Sequence, residues 1–426
     1  MKEQIHEISL FLYNLTLYPL FFLSFLFYFF LIFSYFVKDN ARNKFSRKNF
    51  FPFVTIQIPV YNDPIVERCI KSCLKLDYPK SKYEIIVIDD STDKETRQIV
   101  DKYKDKVRVL RRNNRKGFKP GALNYALNYT KGDIIVVFDA DWVVPKDFLK
   151  KIVRYFEDEK VALVQAKQNF LNKRSNYVSK FASLLQLIHY NIVLRIYNLF
   201  SIAFGGGTAM AVRTKYLKEV GGWNANNLTE DFDLSVKLLA KGYKVLYVNS
   251  FEAKGEVPVK LYHFLRQQRR WVFGITRSLV ENFREILVNK NFSFLQKLMI
   301  FSPLIFYSFS LIAALSFIFS TIAWLTGSPK PLTFDDVFRF FTVFALTSGF
   351  IVLSIFVSKK ERISNPLETL MLCLFLGPIT AINNSAYFLK ALFTKNYYWI
   401  KTPKKGNMDL MKKYLSEKEA KKYENI

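Results

Sequence analysis

The spacing of apolar positions along the chain changes several times, and each change predicts a different element. Residues 8–37, 298–329, 340–358 and 369–389 carry no charged side chain. Each run is close to, or longer than, the roughly 20 apolar residues that cross a hydrocarbon core. Between the first two, the apolar runs are short. Val54–Val60 is rich in β-branched residues and closes with Pro59 and the polar Tyr61-Asn62-Asp63, which predicts a strand. Ile65, Cys69, Ile70 and Cys73 then recur at three- and four-residue spacings, which predicts a helix. Glu84–Ile88 is the next strand and stops at Asp89-Asp90-Ser91-Thr92-Asp93. A polar helix, a strand at Val107–Leu110 and a helix from about Pro120 to Tyr129 follow. Gly132-Asp133 then introduces Ile134–Phe138, which ends at Asp139-Ala140-Asp141. Short apolar strands alternating with helices predict an α/β domain with a mostly parallel sheet, here inserted between transmembrane helices. Ligands of such sheets sit beyond the carboxyl ends of the strands, so the three polar clusters should converge on one cleft.

Charge sets the expected orientation. Lys38, Arg42, Lys44, Arg47 and Lys48 follow the first apolar stretch and only Lys2 precedes it. Positive charge stays inside, so the amino terminus is expected outside and the central domain in the cytoplasm of a multi-pass protein. The stretch is too long for a signal-peptide core and lacks a small-residue cleavage site, so it is expected to remain as an anchor. The loop Gly327–Asp336 has one lysine and two aspartates and suits the outer face; Lys359, Lys360 and Arg362 return the chain inside. A crossing by 369–389 would leave the lysine-rich tail outside, against the charge rule. Gly377-Pro378 interrupts that stretch, so a bent or interfacial segment with the tail inside is expected. The organisation is therefore an anchor and basic segment (1–48), the α/β domain (49–255), amphipathic interfacial helices (256–296), membrane segments (297–393) and a basic cytoplasmic tail (394–426).

Composition narrows the classes. The formal charge is +27, and aromatics make up 17% of the 426 residues, with 43 Phe. Nucleic acid would explain the charge, but the basic residues crowd beside apolar segments and no aromatic-basic readout module is visible. Membrane lipid and phosphorylated substrates are the expected partners, and nucleic acid is not. Cys69, Cys73 and Cys373 are too few for a disulfide framework, and with three His in the chain a zinc site lacks ligands. Buried free thiols are expected.

Three constellations carry chemistry. Asp139 and Asp141, one residue apart at a strand end, can both reach a hard cation, Mg²⁺ or Mn²⁺, that keeps open positions for a diphosphate. A solvated loop is the plain alternative for a lone Asp-X-Asp. Thr229-Glu230-Asp231 opens an amphipathic helix, Phe232–Ala240. It can cap that helix, or it can supply a general base for a sugar hydroxyl. Gln267, Arg270 and Trp271 share one helix face. A guanidinium there can hold diphosphate oxygens and an indole can face a sugar ring, or both can serve an interfacial helix at the headgroup level.

Asp89-Asp90, Asp139-X-Asp141, Thr229-Glu230-Asp231 and Gln267-X-X-Arg270-Trp271, in that order, resemble the family 2 glycosyltransferases of the cellulose synthase superfamily over roughly residues 50–290. Ile58-Pro59-Val60-Tyr61-Asn62, Asp89–Asp93, Lys119-Pro120-Gly121-Ala122-Leu123 and Gln267–Trp271 resemble the plant cellulose-synthase-like A and C proteins, which make mannan and glucan backbones. The resemblance implies a GT-A-type (Rossmann-like) domain. It implies an inverting, membrane-bound transferase that moves a sugar from UDP-glucose or GDP-mannose into a β-linked glycan, a polysaccharide backbone. A lipid acceptor, as in the ceramide glucosyltransferases that share the Gln-X-X-Arg-Trp string, is the alternative; a non-catalytic nucleotide-binding membrane protein is the third.

Carried over residue by residue, Tyr61 and Asp89 or Asp90 would hold base and ribose, and Lys119 the diphosphate. Asp139 and Asp141 would govern the sugar nucleotide and metal, with Asp231 as base and Glu230 beside it in the substrate site. Gln267, Arg270 and Trp271 would hold the acceptor sugar and leaving diphosphate. The run Gly205-Gly206-Gly207-Thr208 resembles the small-residue segment that admits an acceptor to the backbone; a flexible loop is the alternative for it. Trp399-Ile400-Lys401-Thr402-Pro403-Lys404 resembles a processive synthase's gating loop, with Lys401 in place of the usual valine. So few spans would need a homo-oligomer to build a polymer tunnel.

Overall fold

The computed structural model of the chain describes residues 1–37, 50–328, 331 and 333–395. The basic run Lys38–Lys48, the gating-like string Trp399–Lys404 and the basic tail beyond Lys395 lie outside the described residues. Seven strands form one sheet: β1 (Val54–Val60), β2 (Tyr83–Asp89), β3 (Arg108–Leu110), β4 (Ile134–Val137), β5 (Val161–Phe170), β6 (Met210–Arg213) and β7 (Lys244–Gly255). Their order is β3-β2-β1-β4-β6-β5-β7. Only β6 runs against its neighbours, β4 and β5. The other pairs are parallel. β1 is buried almost throughout, which explains its continuous rather than alternating apolar run.

The helices of the domain are α1 (Lys2–Phe36), which precedes it, then α2 (Val66–Leu74), α3 (Lys94–Asp101), α4 (Phe118–Leu127), α5 (Phe148–Ile152), α6 (Tyr177–Ile188), α7 (Leu194–Asn198), α8 (Thr214–Glu219), α9 (Glu230–Ala240), α10 (Leu261–Glu281) and α11 (Phe283–Val288). A π-turn, His189–Val193, joins α6 to α7. The three cysteines are free and buried.

Four helices close the described chain: α12 (Phe294–Thr326), α13 (Phe334–Thr347), α14 (Gly349–Lys360) and α15 (Pro366–Phe393). α1, α12 and α15 are long and apolar enough to cross a membrane. α13 and α14 form a pair bent by 59°. The bend expected at Gly377-Pro378 therefore falls elsewhere, at Ser348-Gly349, while α15 runs unbroken through Pro378. The reason is packing. The Gly349 N–H donates to Ser24 Oγ of α1 at 2.7 Å, and a Cβ on Gly349 would stand 2.2 Å from the Ser24 carbonyl oxygen. Around Gly377 nothing lies within 4 Å of such a Cβ.

The loop after α14 inserts into the α/β domain. Glu361 pairs with Lys167 of β5 at 2.7 Å and accepts from Asn191 of the π-turn at 2.9 Å. Burial would raise its pKa, but Lys167 and Lys173 outweigh this and hold the carboxyl below its usual range. α15 then runs alongside α10 in the same direction. Glu368 in its first turn meets Lys180 of α6 at 2.5 Å, Asn383 accepts from Arg269 at 2.6 Å, and the Ala391 carbonyl accepts from Arg277 at 3.2 Å. Both ends of α15 thus touch the same domain.

Candidate functional site

A cavity of about 350 Å³ opens where β1, β2 and β4 end, as expected for a parallel sheet. Tyr61, Asp90, Lys119, Asp139, Asp141, Gly206, Glu230, Asp231, Gln267, Arg270 and Trp271 all line it. Asp89 does not. It is the last residue of β2 and its side chain turns inward: Oδ1 accepts the Ser91 N–H at 3.0 Å and Oδ2 accepts Arg111 Nε at 2.8 Å. Of the two aspartates the sequence left open, only Asp90 reaches the cavity. Arg112 grips it with both ends of its fork, Nε to Oδ1 at 3.0 Å and a terminal nitrogen to Oδ2 at 2.5 Å. The guanidinium of Arg115 lies 3.2 Å from the centre of the Tyr61 ring. This rim presents a carboxylate beside a flat aromatic surface, groups suited to ribose hydroxyls and a base.

Lys119 enters from the first turn of α4. The turn forms because Gly117 takes φ +73°, and a Cβ there would stand 2.8 Å from that of Ala225. The ammonium lies 2.8 Å from Asp139 Oδ1, 3.3 Å from Glu230 Oε1 and 2.7 Å from the Gly207 carbonyl. Burial opposes its charge, but Asp139 and Glu230 outweigh burial and raise its pKa. Asp139 is anchored by its own N–H, which donates to Thr208 Oγ1 at 3.0 Å.

Asp231 sits in the first turn of α9 and is pushed up to about 7, first by burial and next by the neighbouring Glu230, with Lys119 pulling the other way. The Thr229 side chain makes no cap bond to the helix; its hydroxyl donates to Asn227 Oδ1 at 3.2 Å instead. The glycine run is held rather than loose. The Gly206 N–H donates to Gln165 Oε1 at 2.7 Å, its carbonyl accepts Gln168 Nε2 at 3.0 Å, and the Gly205 N–H donates to Ser235 Oγ at 2.8 Å. At Gly207, with φ +75°, a Cβ would lie 3.2 Å from both Asp231 Oδ2 and Lys119 Nζ. Backbone thus approaches the Asp231 carboxylate where a side chain would crowd it.

From α10, Gln267, Arg270 and Trp271 face the cavity together, as their spacing predicts. Gln267 Oε1 and Arg270 Nε are buried, and no described group hydrogen-bonds to either. Polar atoms left so beside a cavity mark places for ligand oxygens and hydroxyls.

Asp139 and Asp141 offer hard oxygens on one wall. Among the described residues no set of three His, Cys, Asp or Glu side chains is arranged to hold a metal. The donor set fits Mg²⁺ or Mn²⁺ as two protein carboxylates completed by diphosphate oxygens, and a cation, the Lys119 ammonium, already lies against one of them. The sequence does not single out Arg112 and Arg115, which sit in a basic string beyond β3, or Gln168, which depends on strand β5.

Comparison with known proteins agrees with this geometry. The family model described as "Glycosyltransferase like family 2" matches residues 52–274. Glucomannan 4-beta-mannosyltransferase 7 of Arabidopsis thaliana is 31% identical over 260 residues, 58% of this chain and 47% of that protein. Probable glucomannan 4-beta-mannosyltransferase 1 of the same plant is 32% identical over 285 residues, 64% of this chain and 52% of that protein. The chain spans about half the length of the curated relatives it matches. Among solved structures, the mannosyltransferase PcManGT from Pyrobaculum calidifontis, in complex with GDP-Man and Mn²⁺, superposes with a TM-score of 0.63 at 18% identity. The match covers 91% of this chain and 99% of that one, and the shared fold is of the GT-A type.

Proposed function

Since the chain belongs to glycosyltransferase family 2, we propose that it transfers mannose from GDP-mannose to an acceptor hydroxyl with inversion, extending a β-linked glycan backbone at the cytoplasmic face of a membrane. The observation that carries this reading is Asp231, a carboxyl held near neutral pKa beside Lys119 on the cavity wall. A base poised there accepts a proton from a sugar hydroxyl at working pH. The names of the relatives favour mannose over glucose as the sugar, and the donor and metal in the PcManGT complex favour GDP-mannose with a divalent ion.

In this reading Tyr61 and Asp90 hold the nucleoside, with Arg115 and Arg112 fixing them. Asp139 and Asp141 hold Mg²⁺ or Mn²⁺, which when bound stabilises negative charge on the departing diphosphate. Lys119 turns from Asp139 to diphosphate oxygens, and Arg270 meets them from the opposite wall. Asp231 takes the acceptor proton as the hydroxyl attacks the anomeric carbon and GDP leaves. One displacement makes a β-linkage from an α-linked donor. Gln267 and Trp271 seat the acceptor sugar, with Gly206 and Glu230 beside it. A polymer requires a path through the bilayer, and α1, α12 and the bent pair are few for one chain, so the polymer reading includes a homo-oligomer.

The test is an assay of protein in lipid nanodiscs with labelled GDP-mannose and UDP-glucose, with and without Mg²⁺ or Mn²⁺. Label from GDP-mannose in a high-mass product sensitive to β-mannanase is expected. Label in solvent-extractable lipid would replace the polymer with a glycolipid, and no transfer from either donor would overturn the reading.

A further inference from the structure

At the cavity wall lies an ion pair that neither the motifs nor the proposed reaction uses: Glu256 lines the cavity and Arg68 stands behind it. Arg68 of α2 meets Glu256, just past β7, at 2.8 Å, with side chains 4% and 3% exposed. Removing two charges from water costs free energy that such a pair regains only in good geometry, and apolar replacements often serve stability as well. Stability alone is therefore a weak reason for a buried pair here.

The Arg68 side chain and the Glu256 main chain both end on Asp141. The Glu256 N–H donates to Asp141 Oδ2 at 3.1 Å, and a terminal nitrogen of Arg68 donates to the Asp141 carbonyl. The surrounding backbone fixes the register. Val143 and Lys254 exchange both main-chain hydrogen bonds, at 2.7 and 3.1 Å. Any Cβ on Gly255 would stand 2.5 Å from the Trp142 ring. Asp141 is thus held through its carboxylate and its carbonyl, whereas Asp139 is a third exposed and pairs with a lysine side chain. Glu256 also neutralises Arg68, so the guanidinium can orient Asp141 without repelling a cation.

We propose that Arg68 and Glu256 are positioning residues that preset Asp141 as the fixed ligand of the divalent cation. The proposal rests on Asp139 and Asp141 as the metal site. Supports of this kind set ligand direction and metal affinity.

The test measures Mn²⁺ binding by electron paramagnetic resonance on the full-length protein in the presence of GDP. Arg68→Lys keeps the charge but loses one arm of the fork; Glu256→Gln keeps the shape but leaves Arg68 uncompensated. Each should weaken Mn²⁺ binding about tenfold to a hundredfold, while GDP affinity without metal stays as in the wild type for Arg68→Lys, whose site lies outside the cavity lining. A purely structural pair would lower the melting temperature and leave the Mn²⁺ affinity of the folded fraction unchanged. Wild-type Mn²⁺ affinity in both variants would overturn the proposal, provided that Asp141→Asn abolishes binding. Absence of Mn²⁺ binding by the wild type, or its persistence in Asp141→Asn, would instead overturn the metal site and the proposal with it.

Discussion

Asp231 is pushed up to about 7 by burial and by the neighbouring Glu230, which Lys119 only partly offsets. Its basic form must accept the hydroxyl proton, so kcat/KM should rise about tenfold per pH unit below 7 and level off above it. Asp231→Asn should lower transfer by about a hundredfold or more while GDP-mannose binding persists; near-normal turnover would remove Asp231 as the base. The same shift has the opposite sign for stability. A carboxyl raised on folding contributes stability at acid pH that is lost as pH rises through about 7, so the site is least stable where the base is active. Asp89 and Asp90 make a second contrast. Asp90→Ala should weaken GDP binding about tenfold and, by leaving the buried Arg112 without its carboxylate, lower the melting temperature as well. Asp89→Ala should leave Arg111 with Asp101 alone and lower the melting temperature without weakening GDP binding. Calorimetric titration with GDP and a thermal melt of each variant decide this; equal effects on binding would restore Asp89 to the site. The sequence could not separate the two, because adjacent residues at a strand end point to opposite sides and the side depends on where β2 stops.

At the scale of elements, Gly-Pro in an apolar run is the loudest sequence signal for a break, yet the break falls at Ser348-Gly349. A proline costs its helix one N–H and a local clash, both of which a long packed helix absorbs. The Gly349 bend is set by α1, more than 300 residues away in the chain, and no local pattern reports that contact. Gly349→Val should force α1 and α14 apart, since the blocking atom is backbone, and cost about 1–3 kcal/mol. Gly377→Ala should be neutral or stabilise by up to about 1 kcal/mol, having space and gaining helix propensity. Thermal melts in detergent would show a drop for the first alone; equal stability of both would mean that α1 does not set the bend. The same logic divides the catalytic wall. Strands β1 to β4 alternate with helices, and the polar clusters at the ends of β1, β2 and β4 were readable. Gln168 on β5, and Gln165 behind it, were not, because β6 enters the sheet antiparallel and short, and its pairing with β5 is fixed by contact rather than by pattern.

For the whole molecule, the question is where the basic tail lies. α15 is long and apolar enough to cross, about 42 Å for its 28 residues, and a crossing would carry the tail outside. Its contacts argue otherwise. Lys180 holds its first turn, Arg277 holds its last, and Lys395 beyond it lines the catalytic cavity. On these contacts we expect α15 to lie along the membrane surface beside α10, with its exposed Leu367, Met371, Leu374, Ile382 and Leu389 toward the acyl chains. The loop at Glu361, fastened to Lys167 and Asn191, keeps the preceding bent pair ending on that same side. The charge rule gives the same expectation for Lys359, Lys360 and the tail. A membrane-impermeant maleimide added to intact cells should therefore label Ser328→Cys, on the loop after α12, and should label Thr394→Cys only after permeabilisation. The native cysteines are buried and give little background. Ready labelling of Thr394→Cys in intact cells would mean that α15 crosses the bilayer, and Lys395 would then have to leave the catalytic cavity.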